Sequence, residues 1–288
     1  MPRRLIVNAD GFGFTYGNNR GILECFPAGV IKSVSVNANF PAVEESPRLP
    51  AEFPDVSVGV HLNLTVGPCV SDPKTIPDLV NEEGEFLGAV FVRKALVGGI
   101  PRDQIVRELT AQVERLQGYG IRLTHWDGHQ NKHLLPPFFG AALEVARRFG
   151  IERMRTHVHH LFTVRGARRM RVVAHYASHP WRGVHNTMKW LLMRKARKAG
   201  MRMADRLITP SLLDGTRKFH REFWSELFHR LPGGTSEVYC HPGYPDETLR
   251  QHADYVDERL GELELLRDPA LAEEAVRCGV ELISFREI

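Results

Sequence analysis

The sequence has no stretch approaching the roughly 18 consecutive apolar residues that a membrane-spanning helix needs. Its start, MPRRLIVNAD, turns polar after three apolar residues, so neither a span nor a secretory signal is expected and the cytoplasm is the expected compartment. Cysteine is scarce. Cys25, Cys69, Cys240 and Cys278 share no short metal or redox spacing, and four in 288 residues give no disulfide framework. The phosphate-cradling pattern G-x-x-x-x-G-K-S/T is missing, and no serine sits in a nucleophile elbow. Gly11, Gly13 and Gly17 have the wrong final spacing for a dinucleotide fingerprint. A nucleotide hydrolase and a serine esterase are set aside.

What is present describes a folded chain. The hydrophobic fraction of 43% and charged fraction of 25% are near the globular average, and the 25 glycines and 18 prolines are spread along the sequence as turn signals. The charge is uneven. Arg165 to Arg206 holds 12 Lys or Arg against one acid, Asp205, and is +11, while the remainder holds 26 basic and 33 acidic residues and is −7. Such a block fits an anionic partner, a membrane surface or phosphorylated ligand, or else a solvated insertion. Nucleic acid is set aside, because no recognition motif or aromatic stacking surface accompanies the charge.

Short β-branched runs alternate with longer helical stretches, as expected of βα units around a parallel sheet. The strand candidates are 5–8, 33–37, 56–64, 122–126, 153–156, 237–240 and 281–285. Helical spacing runs over 19–26, 102–117, 138–149, 220–230 and 246–267. Seven strands suit a (β/α) barrel better than a small open sheet. The expectation is one domain, with a basic, partly helical insertion at about 160–215.

In such folds reactive groups gather where parallel strands end, because the scaffold aims several strand ends at one crevice. Four strand candidates carry polar residues there: Asn8-Ala-Asp10, His61 with Asn63, Asp127-Gly-His129, and Cys240-His-Pro242. Imidazole and carboxylate are the ligand types of a catalytic divalent metal. In Val-Gly-Val-His61-Leu-Asn-Leu the histidine shares a face with Gly59 and Asn63, away from Val58, Val60 and Leu62. It is read as a metal ligand or as a hydrogen-bonded structural histidine. His129 and His133 are spaced i, i+4, and Pro136 and Pro137 leave only a short turn before the next helix, so the reading gives His129 to metal and His133 to substrate. The bland alternative is a histidine-rich surface turn. Trp126 is read as a sugar-stacking platform or as a core aromatic, and Asn63 as a substrate contact.

These residues resemble a known family. Leu5-Ile-Val-Asn-Ala-Asp-Gly-Phe-Gly13, Asn19-Arg-Gly-Ile22, Ser33-Val-Ser35, Gly59-Val-His61, Thr124-His-Trp-Asp-Gly-His129, Cys240-His-Pro242 and the closing Leu282-Ile-Ser-Phe-Arg-Glu-Ile288 occur in the order seen in the YdjC-like carbohydrate deacetylases. The resemblance implies a distorted (β/α) barrel that removes the N-acetyl group of an amino sugar, of the N-acetylglucosamine type, with a divalent metal (Zn, Mg, Mn, Co or Ni). It also implies roles: Asp10 as general base, His61 and His129 as metal ligands, and His241 as acid or oxyanion partner. Such chemistry needs a Lewis acid on the amide carbonyl, a proton acceptor for water and a proton donor for the amine.

One position departs from the family pattern Asn-Ala-Asp-Asp-Phe-Gly: the second aspartate, a metal ligand, is here Gly11. Loss of that carboxylate weakens the hold on a hard divalent ion. Three readings stay open: Asp10 or Asp127 replaces the ligand, the chain is a catalytically impaired sugar-binding relative, or the position has been altered. Within the basic block, Asn186 to Ala199 reads as a capped amphipathic helix with Met188, Leu191, Leu192 and Ala196 on one side. That stripe is expected either to pack on the barrel or to meet a membrane. The resemblance extends to relatives acting on lipid-linked amino sugars such as hopanoid glycolipids, with which a glycolipid substrate and peripheral contact at the inner membrane face would agree.

Overall fold

The computed structural model describes residues 1–162, 164, 178, 181–210 and 217–288. Its centre is a long strand, β1 (Arg3–Phe12), buried from Leu5 onward. One side of β1 pairs along its length with a late strand, Gly234–Cys240, in parallel. Its other side is shared: the C-terminal strand Val280–Ile283 takes Arg3 to Ile6, and β2 (Ser33–Val36) takes Asn8 to Phe12. β3 (Ser57–Leu62), β4 (His125–Gly128) and β5 (Arg153–Met154) continue outward from β2, all in parallel register. Beyond Gly234–Cys240 come β7 (Arg206–Pro210) and then β6 (His159–Phe162). Gly234–Cys240 is therefore β8 and Val280–Ile283 is β9.

The two outermost strands, β5 and β6, are joined by only residues 155–158. Four residues span at most about 14 Å of extended chain, so the sheet has to curl until its edges nearly meet. The result is a distorted (β/α) barrel in one domain, with the connection between β5 and β6 forming the seam. Among the described residues nine strands build it, where seven were expected. The two unforeseen strands, β6 and β7, lie inside or at the edge of the segment 160–215, so part of the basic region belongs to the barrel wall.

Strand parity sorts the residues. On β1 the residues Leu5, Val7 and Ala9 face outward into the main hydrophobic core with Val34, Val36, Val58 and Val60, all buried. Asn8, Asp10, Ser35, His61, Asp127 and Glu237 face the opposite way, into the barrel. The floor below them is apolar, formed by Ile6, Ile283 and Phe285. The outer face is covered by helices such as α1 (Tyr16–Cys25), whose Thr15 cap accepts a hydrogen bond from Asn18 N at 3.1 Å. A helix at Pro136–Arg148 starts with prolines at its first positions, where no N–H is missed, and buries Phe138, Phe139, Ala142 and Val145.

Three expected elements shift. The strand anticipated at 122–126 runs His125–Gly128, which brings Asp127 into the wall rather than after it. The long helix anticipated at 246–267 is two, Glu247–His252 and Glu258–Leu266, and the break between them supplies part of the site. The helix expected from Asn186 begins at Trp181 and runs to Lys198, so Asn186 lies inside it and is not its cap. In that helix Ala196 and Met193 are buried, whereas Met188, Trp190 and Leu191 are exposed by 43%, 48% and 52%, so the anticipated stripe is divided between barrel and solvent. No helix among the described residues is long and apolar enough to cross a membrane.

Candidate active site

Above the apolar floor the barrel interior is a stack of paired polar groups. Asn8 donates to Asp10 Oδ1 at 2.8 Å and to Ser35 Oγ at 3.1 Å, and its own Oδ1 lies 3.1 Å from His125 Nε2. A Cβ at Gly59 would overlap the His125 ring at 2.5 Å, so the glycine there makes room for that imidazole. His125 stacks on Phe285 with ring centroids 3.9 Å apart, and burial drops its pKa to about 3, which keeps it neutral.

One layer higher, Arg155 enters from the barrel seam. Its Nη1 and Nη2 donate to Asp10 Oδ2 and Oδ1, both at 2.6 Å, its Nη2 reaches Asp127 Oδ2 at 2.9 Å, and its Nε donates to Glu237 Oε1 at 2.6 Å. All four side chains are buried. Desolvation opposes ionisation of Asp10, yet the Arg155 charge and hydrogen bonds outweigh it and hold the carboxyl well below its ordinary range. Glu237 is the loser of the three acids. Burial dominates there and lifts its pKa to about 7, while its Oε2 has no partner.

Asp127 also accepts from His61 Nδ1, at 2.7 Å between Oδ1 and the ring nitrogen. Burial lowers the His61 pKa, but the charge and hydrogen bond of Asp127 more than reverse this and raise it. A proton held on Nδ1 leaves Nε2 as the lone-pair nitrogen, the arrangement by which carboxylates orient metal-binding histidines. The donor atoms of Asp10, His61 and Asp127 lie within 4.8 Å of one another. His129 stands outside that group, with its ring centroid 5.6 Å from that of His61. Its Nε2 is buried without a hydrogen-bond partner, and burial, followed by the charges of His61 and Arg259, drops its pKa to about 3. One imidazole oriented by a carboxylate, a second with an unpartnered Nε2, and ionised carboxylates beside them fit a borderline divalent cation.

These groups open into one cavity of about 260 Å³ at the C-terminal ends of the strands. Asp10, His61, His129 and His241 all line it, although they come from four separate parts of the chain. His241 follows β8; its ring centroid is 5.4 Å from that of Tyr239 and 5.5 Å from that of Tyr255, and its Nδ1 is buried without a partner. Burial, then the Lys218 and Arg259 charges, keep this imidazole neutral. The break between the helices Glu247–His252 and Glu258–Leu266 brings Tyr255 and Arg259 to the opposite wall.

Three residues expected to touch substrate do not reach this cavity. Trp126 is fully buried on the outer face of β4, 5.8 Å from the His133 ring and 6.1 Å from the Phe139 ring, so it is a core aromatic rather than a sugar platform. His133 is fully buried with Nε2 2.9 Å from His157 Nε2, and so belongs to the packing beneath the loop. Asn63 is fully buried and ties down its own loop, donating to Val66 O at 2.7 Å and accepting from Thr65 N at 2.9 Å. Gly11 does line the cavity. It also forms a β-bulge between the pairs Asp10↔Ser35 and Phe12↔Val36, at a φ of +100° that favours glycine.

Sequence reasoning missed Arg155, Glu237, Ser35 and Arg259. The signal for Arg155 was a charged residue immediately after an apolar strand position, which many surface arginines share. Parity on the strand Glu237–Cys240 would have placed Glu237 opposite Val238, on the barrel interior.

A family model described as YdjC-like protein matches residues 4–275. Among similar chains, a carbohydrate deacetylase of Geobacillus stearothermophilus is 36% identical over 288 residues, covering 100% of this chain and 98% of its own. A chitooligosaccharide deacetylase of Salmonella dublin is 30% identical over 301 residues, covering 100% of both. A crystal structure from Enterococcus faecalis V583, named for cellobiose-phosphate cleavage, superposes with a TM-score of 0.75 at 22% identity, over 100% of this chain and 99% of that one. That likeness is one of fold.

Proposed function

Because the chain belongs to the YdjC-like family, we propose that it is a metal-dependent carbohydrate deacetylase that hydrolyses the N-acetyl group of an amino sugar, of the N-acetylglucosamine type. The observation that carries this reading is the meeting of Asp10, His61, His129 and His241 in one cavity at the strand ends. His61 and His129 would hold a divalent ion, with Asp10 or Asp127 as the anionic neighbour in place of the side chain that Gly11 lacks. When bound, the ion supplies Lewis-acid polarisation of the amide and lowers the pKa of water.

The chain's own groups divide the remaining work. Arg155 keeps Asp10 ionised and fixed in orientation, so at neutral pH the carboxylate is available to accept a proton from water. The same pairing makes Asp10 a weak base, which favours passing that proton on. His241 rests neutral, so the proton it delivers to the departing amine is acquired within the cycle. The buried pair of Asp127 and His61 holds the ring plane in place.

The test is acetate release from N-acetylglucosamine and chitooligosaccharides by chelator-treated protein resupplied singly with Zn, Mg, Mn, Co or Ni. Release that depends on metal and is lost in Asp10→Asn supports the reading. Sugar binding without release under any metal favours the second reading, a catalytically impaired binding relative, for which Gly11 is the specific observation.

For the group attached to the sugar, the proposal extends to lipid-linked substrates. Gln130 and Asn131 line the catalytic cavity and also a neighbouring one of about 410 Å³, whose apolar wall includes Val92, Leu96, Met188 and Leu192. Lys189 lines the same groove, and the cations Arg194, Lys195, Arg197 and Lys198 lie farther along the helix that forms its wall. Apolar contact beside positive charge suits an anionic lipid surface.

A further inference from the structure

The place where a side chain would leave Gly11 is lined by side-chain nitrogens, two of which, Asn18 Nδ2 and Arg259 Nη1, are buried without a hydrogen-bond partner. The three nearest neighbours of a Cβ placed there are side-chain nitrogens: Asn18 Nδ2 at 3.7 Å, Arg259 Nη1 at 3.8 Å and Asn37 Nδ2 at 3.9 Å. Asn18 is fully buried with neither amide atom hydrogen-bonded, and Asn37 is 1% exposed. Arg259 is 6% exposed, and its Nη1 has no partner. Its Nε donates to Tyr255 O at 2.7 Å, which fixes the guanidinium and leaves Nη1 turned toward Gly11. Asp10 lines the same cavity, but both of its oxygens are bound by Arg155.

A buried guanidinium nitrogen without an acceptor is costly, and two amides beside it add donors of the same sense. A group with anionic oxygens would satisfy the two unpaired donors, Arg259 Nη1 and Asn18 Nδ2, with Asn37 Nδ2 beside them, and hydrogen bonds from a charged donor to a carboxylate are among the stronger ones available. We propose that this corner binds a small carboxylate group brought by a ligand, which takes the position that the chain's own residue 11 leaves without a side chain. The carboxylate comes either from an N-acetylated sugar that is itself acidic or from a free small anion such as formate or acetate. Only the sugar source rests on the deacetylase reading; the binding site stands on the geometry.

The experiment uses the full-length chain, treated with chelator, at neutral pH and constant ionic strength. Sodium formate and sodium acetate are titrated against sodium chloride, with thermal midpoint and amide NMR shifts as readouts, so no turnover is needed. A saturable response to formate or acetate that chloride does not reproduce, weakened about tenfold or more in Arg259→Gln, is the expected result. Gly11→Asp, which carries its own carboxylate, should lose the response too; because φ at that position disfavours non-glycine residues, Arg259→Gln provides the independent check. N-acetylmuramic acid competing with formate, where N-acetylglucosamine does not, assigns the carboxylate to the sugar. Formate binding without competition from the acidic sugar assigns it to a free anion. Absence of a saturable response to formate, acetate and the acidic sugar overturns the proposal, as does an undiminished response in Arg259→Gln. Failure of acetate release from sugars would leave these binding results unchanged.

Discussion

Arg155 grips Asp10 through two parallel hydrogen bonds of 2.6 Å, Nη1 to Oδ2 and Nη2 to Oδ1. The same guanidinium also serves Asp127 and Glu237, so one buried cation answers three buried acids. This imbalance governs both the stability of the barrel interior and the ionisation of the Asp10 carboxyl that opens into the cavity.

Replacing Arg155 with Met removes the cation and leaves uncompensated acids in the interior. Breaking a buried ion pair from one side costs about 3–5 kcal/mol. Urea denaturation of Arg155→Met should show a loss of that order at neutral pH, with partial recovery in acid as the carboxylates protonate. Arg155→Lys keeps the charge but not the bidentate fork, and its loss should be smaller. A loss below about 1 kcal/mol in Arg155→Met, the ordinary scale of an exposed pair, would show that the cluster is not the buried anchor described above.

Glu237 gives a pH signature of opposite sign to an ordinary ion-paired acid. Burial raises its folded pKa to about 7 from a reference of 4.5, so the folded state holds the extra proton between those values. Its contribution to stability is therefore present in acid and lost as pH climbs through that window, by about 3 kcal/mol at 1.36 kcal/mol per unit. Glu237→Gln is neutral throughout. The stability of the variant relative to the natural chain should rise between about pH 5 and 7, measured by denaturant titration at each pH. A flat difference across the window would mean that Glu237 ionises normally beside Arg155.

Asp127 orients His61 and need not touch the metal to matter. Asp127→Asn keeps the shape of the side chain but weakens the 2.7 Å hydrogen bond that fixes the imidazole. Loss of such an outer partner typically lowers metal affinity about 10- to 100-fold. Calorimetric titration with Zn or Ni should show this decrease, and His129→Ala should be at least as damaging. Unchanged affinity in Asp127→Asn together with a loss in Asp10→Asn would make Asp10 the metal's carboxylate.

The helix Trp181–Lys198 should bind anionic vesicles at low salt and release them at high salt. Cosedimentation with phosphatidylglycerol vesicles provides the measurement, with neutralisation of Arg194, Lys195, Arg197 and Lys198 to Gln as the control. Each cation near such a surface is worth about 1 kcal/mol, so the fourfold variant should lose most of the binding. Binding that ignores both salt and these substitutions would assign the attraction elsewhere.

Local chemistry was legible before any coordinates. Alternation along Val-Gly-Val-His61-Leu-Asn-Leu already put the histidine on the face away from the valines, because a strand's side chains have a period of two. Strand ends rich in Asn, Asp and His, from Asn8-Ala-Asp10 to Cys240-His-Pro242, marked one rim of a parallel α/β fold, and Gly11 stood out as a position without a side chain. Register and curl decided the rest. Arg155 meets Asp10 across 145 positions because β5 and β6 occupy opposite ends of one sheet and the short link between them draws that sheet closed. Which donors face Gly11 depends on a bulge in β1 and on a helix break near residue 255, features set by packing and by the conformation of glycine rather than by a local periodicity. Trp126 fell to the core for the same reason: β4 starts at His125, and one step of parity separates the wet face of a strand from the dry one.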